Sequence, residues 1–175
     1  MSETRANAIP EDADPDILFF LNAWKSARHG AIMPRKSDWN PMSVPRLLAD
    51  IYLYQLDQER GDFRCLLAGE TINDAWGGSV KGKMLREVVG PVDHPTVLGR
   101  WFQILRTPLL HYGKASERLT ELRTRSAERL LTPLSNDDGE PDFVLGLTLY
   151  RFSMSDVSHQ SLFPEDIIQV PCDGL

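Results

Sequence analysis

The stretch DFVLGLTLYRF, residues 142–152, sets Phe143, Leu145, Leu147 and Leu149 on one side of an extended chain and Val144, Gly146, Thr148 and Tyr150 on the other. This period of two marks a strand, and apolar groups on both sides mean that neither face of the resulting sheet can be left in water. A chain with such a segment must build a sheet and then cover it twice.

Other runs supply the partners. DIYLYQLD alternates Ile51, Leu53 and Gln55 against Tyr52, Tyr54 and Leu56, and QERG then turns the chain into DFRCLLAG, where Phe63, Cys65 and Leu67 share a face. This predicts a hairpin. LLHYGKASERL and ERLLTPLS add two more strands, and the turn sequence SNDDGEPD joins the second of them to residues 142–152. Two segments have helical periodicity instead. In DPDILFFLNAWKSARHG, Asp14 caps a helix with Pro15 at its first position, Ile17, Phe20, Leu21 and Trp24 form one stripe, and Gly30 closes the end. In DHPTVLGRWFQILRTP, Val97, Leu98, Trp101, Ile104 and Leu105 share a side, with Asp93 or His94 as cap and Pro108 as stop. Between Glu70 and Gly90 only brief helices are expected, punctuated by Gly77, Gly78 and Gly82 in spacings that match no phosphate-binding loop.

The order helix, two strands, short helices, one longer helix, three strands predicts an α+β fold: a five-stranded antiparallel sheet with helices on one face. The leading helix is the natural cover for the other face. Residues 1–15 read as a mobile arm, residues 16–152 as a single domain and residues 153–175 as a C-terminal tail. Between the first helix and the sheet lies MPRKSDWNPM, with Met33, Trp39 and Met42 among charges. Asn40 can cap a turn begun by Pro41, which makes the segment a semi-rigid brace, with Arg35 and Asp38 close enough to pair.

Composition narrows the functions open to such a chain. A formal charge of −6 over 175 residues works against a phosphate backbone as partner. Arg118, Arg123, Arg125 and Arg129 cluster locally, but Glu117, Glu121 and Glu128 interleave with them, which reads as a solvated edge. No apolar run approaches the roughly 18 residues of a membrane span, and no signal-peptide core begins the chain, so a cytoplasmic location is expected. Cys65 and Cys172 form no disulfide framework, and no His and Cys set has metal-ligand spacing.

PRKSDWNP after the Trp24 helix, then FRCLLAGETI, GGSVKGKML and RLLTPLSNDDGEPDFVLG, together resemble the PAS domain family, in particular short stand-alone members typical of alphaproteobacteria. Pro34, Arg35, Asp38 and Pro41 match the Pro-Arg-x-x-Asp-x-x-Pro segment of that group, and the likeness spans about Asp16 to Phe152. It departs at AGETI, where Glu70 precedes Thr71 in place of the Gly-Thr common in relatives. The resemblance implies a sensory module that acts by protein–protein contact, as a homodimer or on a signalling partner, with a small-molecule ligand between sheet and helices. Tyr52, Arg64, Trp76, Trp101 and Tyr112 are then the expected ligand contacts, and Phe20, Leu21, Trp24, Arg35 and Asp38 the expected partner surface. The reactive-cysteine motif of flavin-binding members is replaced by INDAWGGSV, and only His94 and His111 offer themselves as haem ligands, so no cofactor is expected.

Catalysis is the rival reading. A small α+β enzyme with a cone-shaped pocket, isomerase-like or dehydratase-like, needs an acid and a base facing one cavity. The candidates are Asp50, Asp74, Asp93, His29, His94, His111 and His159, none in a recognisable catalytic arrangement.

Overall fold

The alternating runs become strands packed from both sides. The computed structural model describes residues 2–118, 123–154 and 166–175. Its strands are β1 (Ser2–Arg5), β2 (Ile51–Asp57), β3 (Asp62–Ala68), β4 (Leu109–Arg118), β5 (Arg123–Ser135), β6 (Pro141–Met154) and β7 (Asp166–Pro171), and its helices are α1 (Pro15–Ala27), α2 (Glu70–Ala75) and α3 (Leu85–Arg106). The strands form one sheet in the order β1-β7-β4-β5-β6-β2-β3.

Seven strands replace the five expected, and both additions come from segments read as an arm and a tail. Asp166–Pro171 runs antiparallel to β4, from Leu109 opposite Pro171 to Lys114 opposite Asp166. Ser2–Arg5 then adds to β7 in parallel, from Ser2 opposite Asp166 to Arg5 opposite Gln169. The physical reason lies in β7, which buries Ile167 on one face and Val170 on the other and so belongs inside a covered sheet.

One sheet face carries Leu110, Leu130, Phe143, Leu145 and Leu147, and α1 lies across it with Ile17, Phe20, Leu21 and Trp24 turned inward. Asp14 caps the helix by accepting from the Asp16 N–H at 2.9 Å, as its sequence predicts. The Trp24 Nε1–H donates to the Pro133 carbonyl of β5 at 3.1 Å, which settles the indole's polar edge inside the core. Phe20, Leu21 and Trp24 are therefore core residues of this chain and not an outward stripe for a second copy; Phe20 and Trp24 are wholly buried.

Residues 33–42 act as the brace their sequence suggests. Met33 and Trp39 are buried against α1, with the Trp39 ring edge-on to Phe20 at 5.6 Å, while the Asn40 side chain accepts from the Met42 N–H at 2.9 Å. Pro34 accepts from the Ser135 N–H at 2.9 Å, stapling the segment to the end of β5. Met42 stays exposed. Arg35 and Asp38 are also exposed, joined through the backbone by the Asp38 N–H and the Arg35 carbonyl at 3.0 Å.

The opposite sheet face supports α2 and α3. The longer helix begins at Leu85, well before the expected cap at Asp93 or His94, and is broken at Gly90, where φ is 79° and ψ 169°. Asp62, at the start of β3, holds both halves. One carboxylate oxygen accepts from the Arg86 Nε–H at 2.8 Å and the Arg86 backbone N–H at 3.2 Å, and the other lies 3.0 Å from His94 Nε2. Burial opposes the charge on Asp62, yet these bonds and one from the Phe63 N–H outweigh it and hold the carboxyl below its usual range. The expected face shared by Phe63, Cys65 and Leu67 holds for the first two alone. The register against β2 shifts between Leu53 and Tyr54, and Leu67 is left exposed.

Candidate ligand-binding site

Between the sheet and the two helices lies a cavity of about 500 Å³. Its floor is made by alternate residues of four strands: Tyr52 and Tyr54 of β2, Ala115 of β4, Arg125, Ala127, Arg129 and Leu131 of β5, and Thr148 and Tyr150 of β6. Ala115 and Ala127 are directly opposed in the β4–β5 register, so two short side chains sit where larger ones would fill the space. The roof comes from Ile72 and Trp76 at α2, Leu85, Val88 and Val89 before the Gly90 break, and Asp93, Thr96, Val97, Arg100 and Trp101 after it.

Aromatic packing fixes the inner end. Trp101 meets Tyr54 edge-on at 4.9 Å and Phe63 at 5.3 Å, and stands nearly parallel to Tyr52 with ring centroids 6.5 Å apart. The Tyr52 and Thr148 hydroxyls are hydrogen-bonded at 3.0 Å. Burial raises the Tyr54 phenol well above its ordinary value, so it remains a neutral group. At the outer end Trp76 is 45% exposed, and Arg125 lies over the Tyr150 ring at 5.2 Å while donating to the Ala75 carbonyl of α2 at 3.4 Å.

Three of the five expected ligand contacts, Tyr52, Trp76 and Trp101, line this cavity. Arg64 and Tyr112 do not. Arg64 is out of phase with Phe63 and Cys65; it donates to the Gly82 carbonyl at 3.1 Å and lies 3.5 Å from Asp57. Tyr112 shares the α1 face with Leu130 and donates to Glu128 at 2.7 Å. The arginines are a second correction. Arg125 and Arg129, read from sequence as a solvated edge, are half-buried on the cavity floor, in phase with Leu131. That phase was the available signal, and the interleaved glutamates obscured it.

Of the described acid and base candidates, only Asp93 reaches the cavity. Asp50 is partly buried, which raises its carboxyl pKa against a hydrogen bond from Thr71, and it lies off the lining. Asp74 and His29 are exposed, His94 is held by Asp62, and His111 is buried in β4. His159 lies outside the described residues. Burial pushes the Cys65 thiol up to about 11 and the Cys172 thiol to about 12, so both stay protonated. Among the described residues no group of three or more His, Cys, Asp or Glu is placed to hold a metal ion, and no described helix is long and apolar enough to cross a membrane.

A sheet with a ligand-sized cavity between it and its helices is the arrangement that the sequence resemblance implies, and the family model for the PAS domain matches residues 14–149. The chain belongs to the PAS domain family. The match runs from the α1 cap to the end of the long β6 alternation, taking in both covers of the sheet and the whole described cavity lining except Tyr150. PAS domains are sensory and regulatory modules, generally without catalytic activity of their own. No curated protein matches the chain at a significant level.

Proposed function

We propose that this PAS domain is a non-catalytic sensor that binds a small molecule between the sheet and α2/α3 and passes occupancy on through protein–protein contact. The observation that carries the reading is the cavity itself. A volume of about 500 Å³ lies within the range of small-molecule sites, and its wall is mainly apolar and aromatic with a few convergent polar groups. The enzyme reading lacks support, because no described histidine or second carboxylate joins Asp93 in the cavity lining. Of the expected partner surface, Arg35 and Asp38 on the brace remain exposed to a signalling protein or a second copy, whereas the apolar stripe of α1 is used within the chain.

Native mass spectrometry of the purified protein against its denatured mass tests the sensor reading. A non-covalent mass difference of small-molecule size is the expected result; equal masses, with no stabilisation by any compound of a metabolite panel in thermal unfolding, would sink it. A ligand at 100 times its Kd should stabilise the fold by about 2.7 kcal/mol. Light scattering across micromolar concentrations decides the homodimer: a monomer throughout leaves only docking on another protein.

A further inference from the structure

The described part of the cavity wall has the opposite charge balance to the whole chain. Formal net charge is −6, yet the described lining holds three guanidinium groups, Arg100, Arg125 and Arg129, against one carboxylate, Asp93. The arginines are half-buried and the aspartate is exposed. Arg125 and Arg129 lie four residues apart on β5, an even spacing that puts them on the same face, and Arg100 reaches the cavity from α3 above. Guanidinium keeps its charge at any ordinary pH and offers a planar fork of donors that fits a carboxylate. In a space partly shielded from water, that attraction is stronger than at an open surface. The rest of the wall, including Tyr52, Trp101, Val97 and Leu131, asks for an apolar body.

We infer that the cavity takes a small organic carboxylate with an aromatic or branched apolar body, its carboxylate directed to the arginines and its body to the Trp101 end. The inference rests on the sensor reading above and deepens it. It also supplies a route outward. Arg125 bridges β5 to the end of α2 through the Ala75 carbonyl, at 3.4 Å, the long end of hydrogen-bond range. A carboxylate is the stronger acceptor, so a bound anion draws Arg125 from that carbonyl and loosens α2 at Trp76. Occupancy thereby changes the exposed mouth of the domain.

The test is calorimetric titration of the full-length protein with 2-naphthoate, with the neutral 2-naphthalenemethanol and with the cationic 2-naphthylmethylammonium. Naphthoate should bind at least tenfold more tightly than the alcohol, and the ammonium more weakly than either. Arg100→Gln and Arg129→Gln should each cut that preference to threefold or less, with a cooperative thermal unfolding transition showing that each variant is folded. Alcohol or ammonium binding as tightly as naphthoate would overturn the carboxylate assignment and leave the sensor reading standing, as would an anion preference that both variants retain. Failure of all three probes to bind at millimolar concentration would count against both.

Discussion

Gly146 lies directly opposite Tyr52 in the β2–β6 register, and a methyl group on its Cα would stand 2.3 Å from carbons of the tyrosine ring. The tyrosine fills the side-chain space that glycine leaves empty, which keeps its ring flat on the sheet and the cavity open above it. Gly146→Ala should push the ring off, break the Tyr52–Thr148 hydrogen bond and cost about 1–3 kcal/mol in denaturant unfolding; an unchanged midpoint would refute this account. Asp62 makes a second prediction. Its carboxyl is held below the usual range when folded, so the unfolded chain binds the proton more readily. The stabilisation is present in full above the unfolded pKa of about 3.9 and is lost as pH falls through the lowered folded value. Asp62→Asn should cost on the order of 2–3 kcal/mol at pH 7, with the gap to the wild type closing at acid pH. A gap that stays constant down to pH 2 would show that the charge is not what matters. At this scale the sequence disclosed Tyr52, Trp76 and Trp101 because large aromatic residues between sheet and helices have few other places to go. Arg64 and Tyr112 were misplaced because a polar or amphipathic strand residue reveals its face only through the phase of its neighbours.

Helix α1 and the Gly90 break decide how the elements hold together. Phe20 and Trp24 are wholly buried and Leu21 nearly so, each burial contributing about 1.5–3 kcal/mol. Trp24→Ala should therefore cost about 3–5 kcal/mol. Removing residues 1–30 should leave an aggregating chain, read by light scattering; a soluble, folded monomer from that deletion would mean the helix is not an intramolecular cover. At Gly90, φ 79° with ψ 169° is a region almost closed to other residues, so Gly90→Ala should lower stability by about 1–3 kcal/mol. An unaltered melting temperature would show that the chain can reroute between Val89 and Pro91. α1 and strands β2 to β6 were legible because each runs long enough for its period to show. The four residues SETR of β1 have no apolar alternation, and their pairing is with β7, which is remote in sequence. In DIIQVP the apolar residues on both faces were a usable signal, masked by the polar stretch before them.

Across the whole molecule, β7 links the two ends of the described chain, since it lies between β1 and β4 and packs Val170, with Cys172 just after it, into the core that α1 covers. Its Gln169 side chain exchanges a hydrogen bond with Gln103 of α3 at 3.1 Å, so the same strand is tied to the opposite layer. Truncation after residue 165 should broaden the unfolding transition and lower its midpoint, while a cooperative transition at the original midpoint would show β7 to be an accessory. The parallel pairing of β1 with β7 has a mechanical side. If the molecule is stretched by its first and last residues, the pull on β1 and the pull on β7 run in opposite directions along the strand axes. The bonds between them are then loaded together as a shear and do not open one after another like a zipper, so the domain should resist tension applied through its ends far better than tension applied across the sheet.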